Sequence, residues 1–89
     1  MTQAQIESAV RNFVADKFMF GQGADKLSAD TSFLESGLID STGVLELVMF
    51  IEDNYRVKVS DDEMLPENLD SIRAIAAFVT RKLASRSAA

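Results

Sequence analysis

Gly37-Leu38-Ile39-Asp40-Ser41-Thr42-Gly43-Val44-Leu45-Glu46-Leu47 joins a loop to the start of a strongly patterned helix and sets one serine at the joint. Asp40 suits the N-cap, because a short carboxylate accepts the amide hydrogen bonds that a first helical turn leaves unmade. Beyond it Val44, Leu47, Val48, Ile51 and Tyr55 share one broad apolar face at about 100° per residue, which predicts a helix from Ser41 to Tyr55. Glu46 and Asp53 sit opposite that face, and Met49 and Phe50 flank them. Two apolar side chains beside a carboxylate pair suggest a docking surface, although a small bundle could cover one of them.

Upstream, Thr2 with Gln5 three residues later has capping-box form. Ile6, Val10, Phe13 and Val14 then line one face, with Ala9 widening it, so the spacing predicts a first helix over about 3–18. Gly21-Gln22-Gly23 is expected to stop it. The long connection over about 20–40 carries Leu27, Phe33, Leu34 and Leu38, too apolar to leave in water, so it is expected to pack over the core. Ser32 to Glu35 is expected to form a single helical turn.

Downstream, Arg56 to Val59 alternates but is too short for a sheet of its own and reads as an extended link. Ser60-Asp61-Asp62-Glu63 is a second capping box, expected to open a short helix that Pro66 limits. Asp70 or Ser71 then caps a final helix to about Leu83, whose stripe is Ile72, Ile75, Ala76, Val79 and Leu83; Ser85 to Ala89 is expected to fray. The expected fold is all-α, a small bundle of three main helices plus one short helix, forming a single domain over 1–89 with an ordered core of about 3–84.

Composition narrows the chemistry. The 89 residues include no Cys and no His. Disulfides, thiolate catalysis and zinc-thiolate sites are thereby excluded, as is a Ser-His-Asp enzyme. The net charge of −5 is unevenly spread: residues 30–70 hold eleven acids against Arg56 and Lys58, while 71–89 hold Arg73, Arg81, Lys82 and Arg86 without an acid. An acidic block of this kind points to basic protein partners and away from nucleic acid, or it is simply a solvated face. No apolar run approaches the roughly 20 residues of a membrane span, and no signal-peptide block opens the chain, so a cytoplasmic location is expected.

Two Asp-Ser pairs, Asp40-Ser41 and Asp70-Ser71, each begin a helix, and capping explains both equally well. Their helices differ. The one after Ser41 carries Glu46, Glu52 and Asp53 with no base before Arg56, whereas the one after Ser71 is wholly basic. A phosphate ester at Ser41 would also lie against the free amides and positive end of its helix. Gly43, in the first turn, is expected to leave room near the hydroxyl. Other motifs fail: Ile39-Asp40-Ser41-Thr42-Gly43 lacks the first glycine of a nucleophile elbow, and no segment has the ligand spacing of a calcium loop, so neither a catalytic group nor a metal site is expected.

Phe33-Leu34-Glu35-Ser36-Gly37-Leu38-Ile39-Asp40-Ser41, followed by Val44-Leu45-Glu46-Leu47-Val48, resembles the acyl carrier protein superfamily, including its peptidyl and aminoacyl members. The resemblance covers nearly the whole chain. It implies a non-enzymatic carrier in which Ser41 receives 4′-phosphopantetheine from coenzyme A through a phosphopantetheinyl transferase, with Asp40 as cap and recognition partner. The imported thiol would hold acyl or aminoacyl groups as thioesters. Where many fatty-acid carriers have Asp-Ser-Leu and then an acid, Thr42 and Gly43 follow Ser41, a context similar to D-alanyl carriers and to stand-alone carriers served by adenylating ligases. Phe50 stands where many fatty-acid carriers have a small residue. The expectation is thus a specialised carrier, monomeric, whose Glu46, Met49, Phe50 and Asp53 dock a transferase, an adenylating acyl- or aminoacyl-ligase and downstream acyl-transfer enzymes. An unmodified helical adaptor using the same acidic face is the alternative.

Overall fold

Capping and apolar spacing set the boundaries of the first two helices in the computed structural model, which describes residues 2–19 and 27–88, with side chains through Ser85. Helix α1 spans Gln3–Phe18, and its capping box is complete: the Thr2 hydroxyl accepts from the Gln5 amide while the Gln5 side chain accepts from that of Thr2. It closes at Met19, whose N–H reaches the Ala15 carbonyl at 3.1 Å. The expected stop at Gly21 and Gly23 lies outside the described residues. Helix α2 spans Ser41–Tyr55 with Asp40 as N-cap. It ends on Arg56, which takes the left-handed conformation (φ 55°) usually left to glycine and sends the chain into the extended link.

Pro66 corrects the sequence reading. It begins the short helix instead of limiting it. The Ser60 capping box opens only a 3-10 turn, Asp61–Glu63, after which α3 spans Pro66–Leu69. Proline suits a first helical position, where its missing N–H would go unused and its fixed φ is already helical. Helix α4 spans Ile72–Ala88, beyond the expected end at Leu83. Its tail contains neither Gly nor Pro, and Ala and Arg sustain a helix after the apolar stripe has run out.

The core forms where α1, α2 and α4 meet. Ile6, Val10 and Val14 of α1, Leu47 and Ile51 of α2, and Ile72, Ile75 and Val79 of α4 are almost wholly withdrawn from water. Each contributes about 1.5–3 kcal/mol by apolar burial. The 27–40 connection packs onto this core through Leu27, Phe33 and Ile39, with Leu38 half-buried. Leu34 does not join them: it is 44% exposed, because it sits on the outer side of the turn that buries Phe33. That turn is closed by the Ser36 N–H on the Ser32 carbonyl (3.0 Å) and ends at Gly37, whose φ of 75° favours glycine.

Polar contacts tie the segments without a long helix of their own to α4. Lys82 Nζ meets Glu63 Oε1 at 2.9 Å, and Arg81 donates to Asn68 Oδ1 at 3.0 Å. On the other side the Arg73 N–H donates to the Ala29 carbonyl at 2.9 Å, and its guanidinium pairs with Asp30.

Candidate functional site

Ser41 is the first residue of α2, and its neighbours leave it exposed. On its N-terminal side Ile39 is buried and its N–H donates to the Phe33 carbonyl at 3.2 Å, anchoring the entering chain. Immediately before it, Asp40 caps the helix: its Oδ1 accepts the Gly43 N–H at 2.8 Å, and its carbonyl accepts the Val44 N–H at 3.1 Å. Asp40 therefore does the capping, and the Ser41 hydroxyl is not spent on it.

The second Asp-Ser pair divides the work the other way. Ser71 Oγ accepts the Ala74 N–H at 3.0 Å and is the cap of α4, half-buried at the junction. Asp70 instead reaches back across the fold to residues 32–34. The two pairs are alike in sequence and opposite in geometry.

Gly43 corrects a second expectation. It is buried, and the space it leaves is filled by core side chains, not kept for the hydroxyl. A Cβ there would lie 2.7 Å from Ile39 Cγ2, 3.0 Å from Phe18 Cε1 and 3.4 Å from Asp40 Oδ1. The glycine lets the end of α1 and the entering loop close on the first turn of α2.

Beside Ser41 opens an apolar cleft of about 270 Å³ between α2 and the 64–70 segment. Leu34, Val44, Met64, Leu65 and Leu69 supply most of its lining, and Ser41 and Asp70 are among its polar groups. A second hollow of about 300 Å³ lies between the outer faces of α1 and α2, and Glu46, Met49, Phe50 and Asp53 all line it, with Phe13 and Lys17 from α1. The structure thus brings together the four residues singled out for docking. They are not equally available. Met49 is 62% exposed, while Phe50 is half-buried, stacked on Phe13 (ring centroids 4.4 Å apart) and edge-on to Tyr55. Glu52, on the same acidic helix, is committed to structure, accepting the Val59 N–H at 2.9 Å.

Leu45 was missed in the sequence reading. It is 52% exposed and lies one helical turn beyond Ser41, with Met49 one turn further, so an apolar line descends α2 from the serine. The i, i+4, i+8 spacing from Ser41 was the available signal.

Residues 8–79 match the family model described as a phosphopantetheine attachment site. The chain belongs to the phosphopantetheine-binding acyl carrier family. It is 35% identical over 81 residues to an acyl carrier protein from Akkermansia muciniphila, covering 91% of this chain and 96% of that one. A probable acyl carrier protein, PigG, from a Serratia species is 29% identical, covering 85% of this chain and 86% of its own. The solution structure of a holo acyl carrier protein from Nitrosomonas europaea superposes with a TM-score of 0.75 at 28% identity, covering 90% of this chain and 98% of that one. The carrier's cofactor is covalently attached 4′-phosphopantetheine, and the protein is a carrier, not an enzyme. It works with a phosphopantetheinyl transferase and acyl-transfer enzymes. Among the described residues no helix is long and apolar enough to cross a membrane, and no group of three His, Cys, Asp or Glu is placed to hold a metal ion.

Proposed function

We propose that Ser41 is the attachment point of the phosphopantetheine arm, with Asp40 as its cap and recognition partner. The observation that carries this is the division of labour in the two Asp-Ser pairs. Only at α2 does the aspartate take the cap and leave the serine hydroxyl exposed, at the positive end of a 15-residue helix. A phosphodiester fits there, because its charge would lie against the free amides of the first turn. When bound, the arm supplies a terminal thiol that holds the carried group as a thioester. The protein's own part is to present that group, and the cleft beside Ser41 offers it apolar shelter.

The carrier serves a specialised pathway, loaded by an adenylating acyl- or aminoacyl-ligase, and acts as a monomer in the cytoplasm. Thr42 and Gly43 after the serine, and the stacked Phe50 on α2, support that narrower reading. Glu46, Asp53 and Met49 are its docking residues, Phe50 contributing its open flank and Leu45 extending the apolar line. Basic partners are steered by the two carboxylates.

Intact mass after incubation with coenzyme A and a promiscuous transferase tests the attachment point. Wild type and Ser71→Ala are expected to gain one phosphopantetheinyl group and Ser41→Ala none. A wild type that gains nothing beside an active control would refute the proposal and favour an unmodified adaptor.

A further inference from the structure

We propose that Asp70 is a positioning residue for the carried group: it latches the Ser32–Gly37 turn so that Leu34 forms one lip of the cleft beside Ser41. The inference rests on the reading that Ser41 carries the arm.

Three successive residues of the turn bond to this one aspartate. Ser32 Oγ donates to Asp70 Oδ2, the Leu34 N–H donates to Oδ1 at 2.9 Å, and the Phe33 N–H donates to the Asp70 carbonyl at 2.8 Å. The Ser32 hydroxyl also accepts the Glu35 N–H at 3.1 Å, so the latch runs on into the turn. Capping does not explain the carboxylate, because Ser71 already caps α4. What the carboxylate holds is Leu34, exposed and therefore not positioned by burial of its own. Phe33 beside it is wholly buried and anchors the turn to the core. Release of the side-chain latch would therefore free the lip without unfolding the domain, and the cleft would lose Leu34 from its lining. An apolar group seated there would meet water; a carried group too short to reach it would not notice. Asp70, which also lines the cleft, thus favours apolar cargo chiefly through the position of Leu34.

The test compares wild type, Asp70→Ala, Ser32→Ala and Ser32→Thr, each loaded from acetyl- or dodecanoyl-coenzyme A by a promiscuous transferase and checked by intact mass. Cleavage of the thioester by hydroxylamine is followed for both cargoes, and amide hydrogen exchange at Leu34 is measured on the unmodified proteins. Wild type is expected to protect dodecanoyl over acetyl. Asp70→Ala should reduce that ratio about fivefold, the effect of losing one modest interaction. Ser32→Ala should reduce it less, Ser32→Thr should restore it, and Leu34 exchange should accelerate in step. An unchanged ratio in loaded Asp70→Ala of normal helicity overturns the latch, as does a wild type that protects both cargoes equally. Should Asp70→Ala not fold, Ser32→Ala with unchanged ratio and unchanged Leu34 exchange overturns it alone. Proteins that gain mass but fail these comparisons refute the latch only; a wild type that gains no mass refutes the attachment reading and the latch together.

Discussion

Replacing Gly43 by Ala adds one methyl group where the first turn of α2 meets buried neighbours. The new Cβ would sit 2.7 Å from Ile39 Cγ2, closer than real carbon pairs approach, and 3.0 Å from the Phe18 ring. The ring is half-buried and has some freedom to swing. Ile39 has little: it is 1% exposed, and its branched β-carbon restricts χ1. Its neighbour Asp40 would have to move with it, disturbing the cap. Overpacking of this kind costs about 1–3 kcal/mol, and the helical preference of Ala over Gly returns at most about 1 kcal/mol. A net loss of about 1–2 kcal/mol lowers the melting temperature of so small a domain by roughly 5–15 °C. Thermal and urea unfolding followed by circular dichroism measure it, and phosphopantetheine transfer should slow as Asp40 shifts. A Gly43→Ala protein as stable as wild type, or more so, would refute the account of this glycine as a close-approach site.

Three further outcomes test other parts of the structure. Glu46→Lys with Asp53→Lys is expected to slow transferase modification severalfold at low salt while helicity stays intact; rates equal to wild type would mean that the two carboxylates are merely solvated. Glu63, held by the Ser60 amide, the Lys82 ammonium and the Ser60 hydroxyl, has its pKa lowered from 4.5 to about 2. The fold therefore keeps this carboxylate's contribution at neutral pH and loses it as pH falls below 4.5 towards 2. Glu63→Gln should cost about 1 kcal/mol at pH 7, a partly exposed pair being screened by solvent, and close to nothing near pH 2; equal urea midpoints at pH 7 would contradict it. Tyr55, the chain's one tyrosine, has its phenol pushed above its ordinary pKa of 10.0 by burial. Ultraviolet titration should give a midpoint above that value, with stability present below it and lost as pH rises through the folded-state pKa; a midpoint at or below it would refute the burial argument.

Helices α1 and α2 were legible because their signals are local. A capping box at Thr2, an aspartate before Ser41 and unbroken apolar spacing specify both with little help from tertiary structure. Pro66 was misread because proline both ends helices and begins them, and the difference lies in where the preceding chain has gone. Leu34 and Phe33 are both large and apolar, and only the closed turn decides which enters the core. Ser41 could not be separated from Ser71 by capping logic, since either member of an Asp-Ser pair can serve as cap. The pairing of Asp70 with Ser32 crosses 38 residues and leaves no periodic trace in the sequence. Gly43 announced itself as a glycine in a helix, but the groups that fill its space, Ile39 of the entering loop and Phe18 of α1, are set by the tertiary fold.

None of the described residues of α4 lines the cleft, yet the helix anchors the segments that do, through Lys82, Arg81 and Arg73. Of the side chains that line the cleft, Leu34 and Leu65 are exposed and Met64 is half-buried against the core, whereas Leu69 belongs to the core itself. Exchanges at the exposed Leu34 and Leu65 reshape the cleft at little cost to folding, about 0.5 kcal/mol, whereas Met64 packs against the core and is less free to change. If the carried group seats in this cleft, as proposed, its fit is set largely by side chains that folding does not depend on, and it can be retuned at Leu34 or Leu65 without disturbing the core.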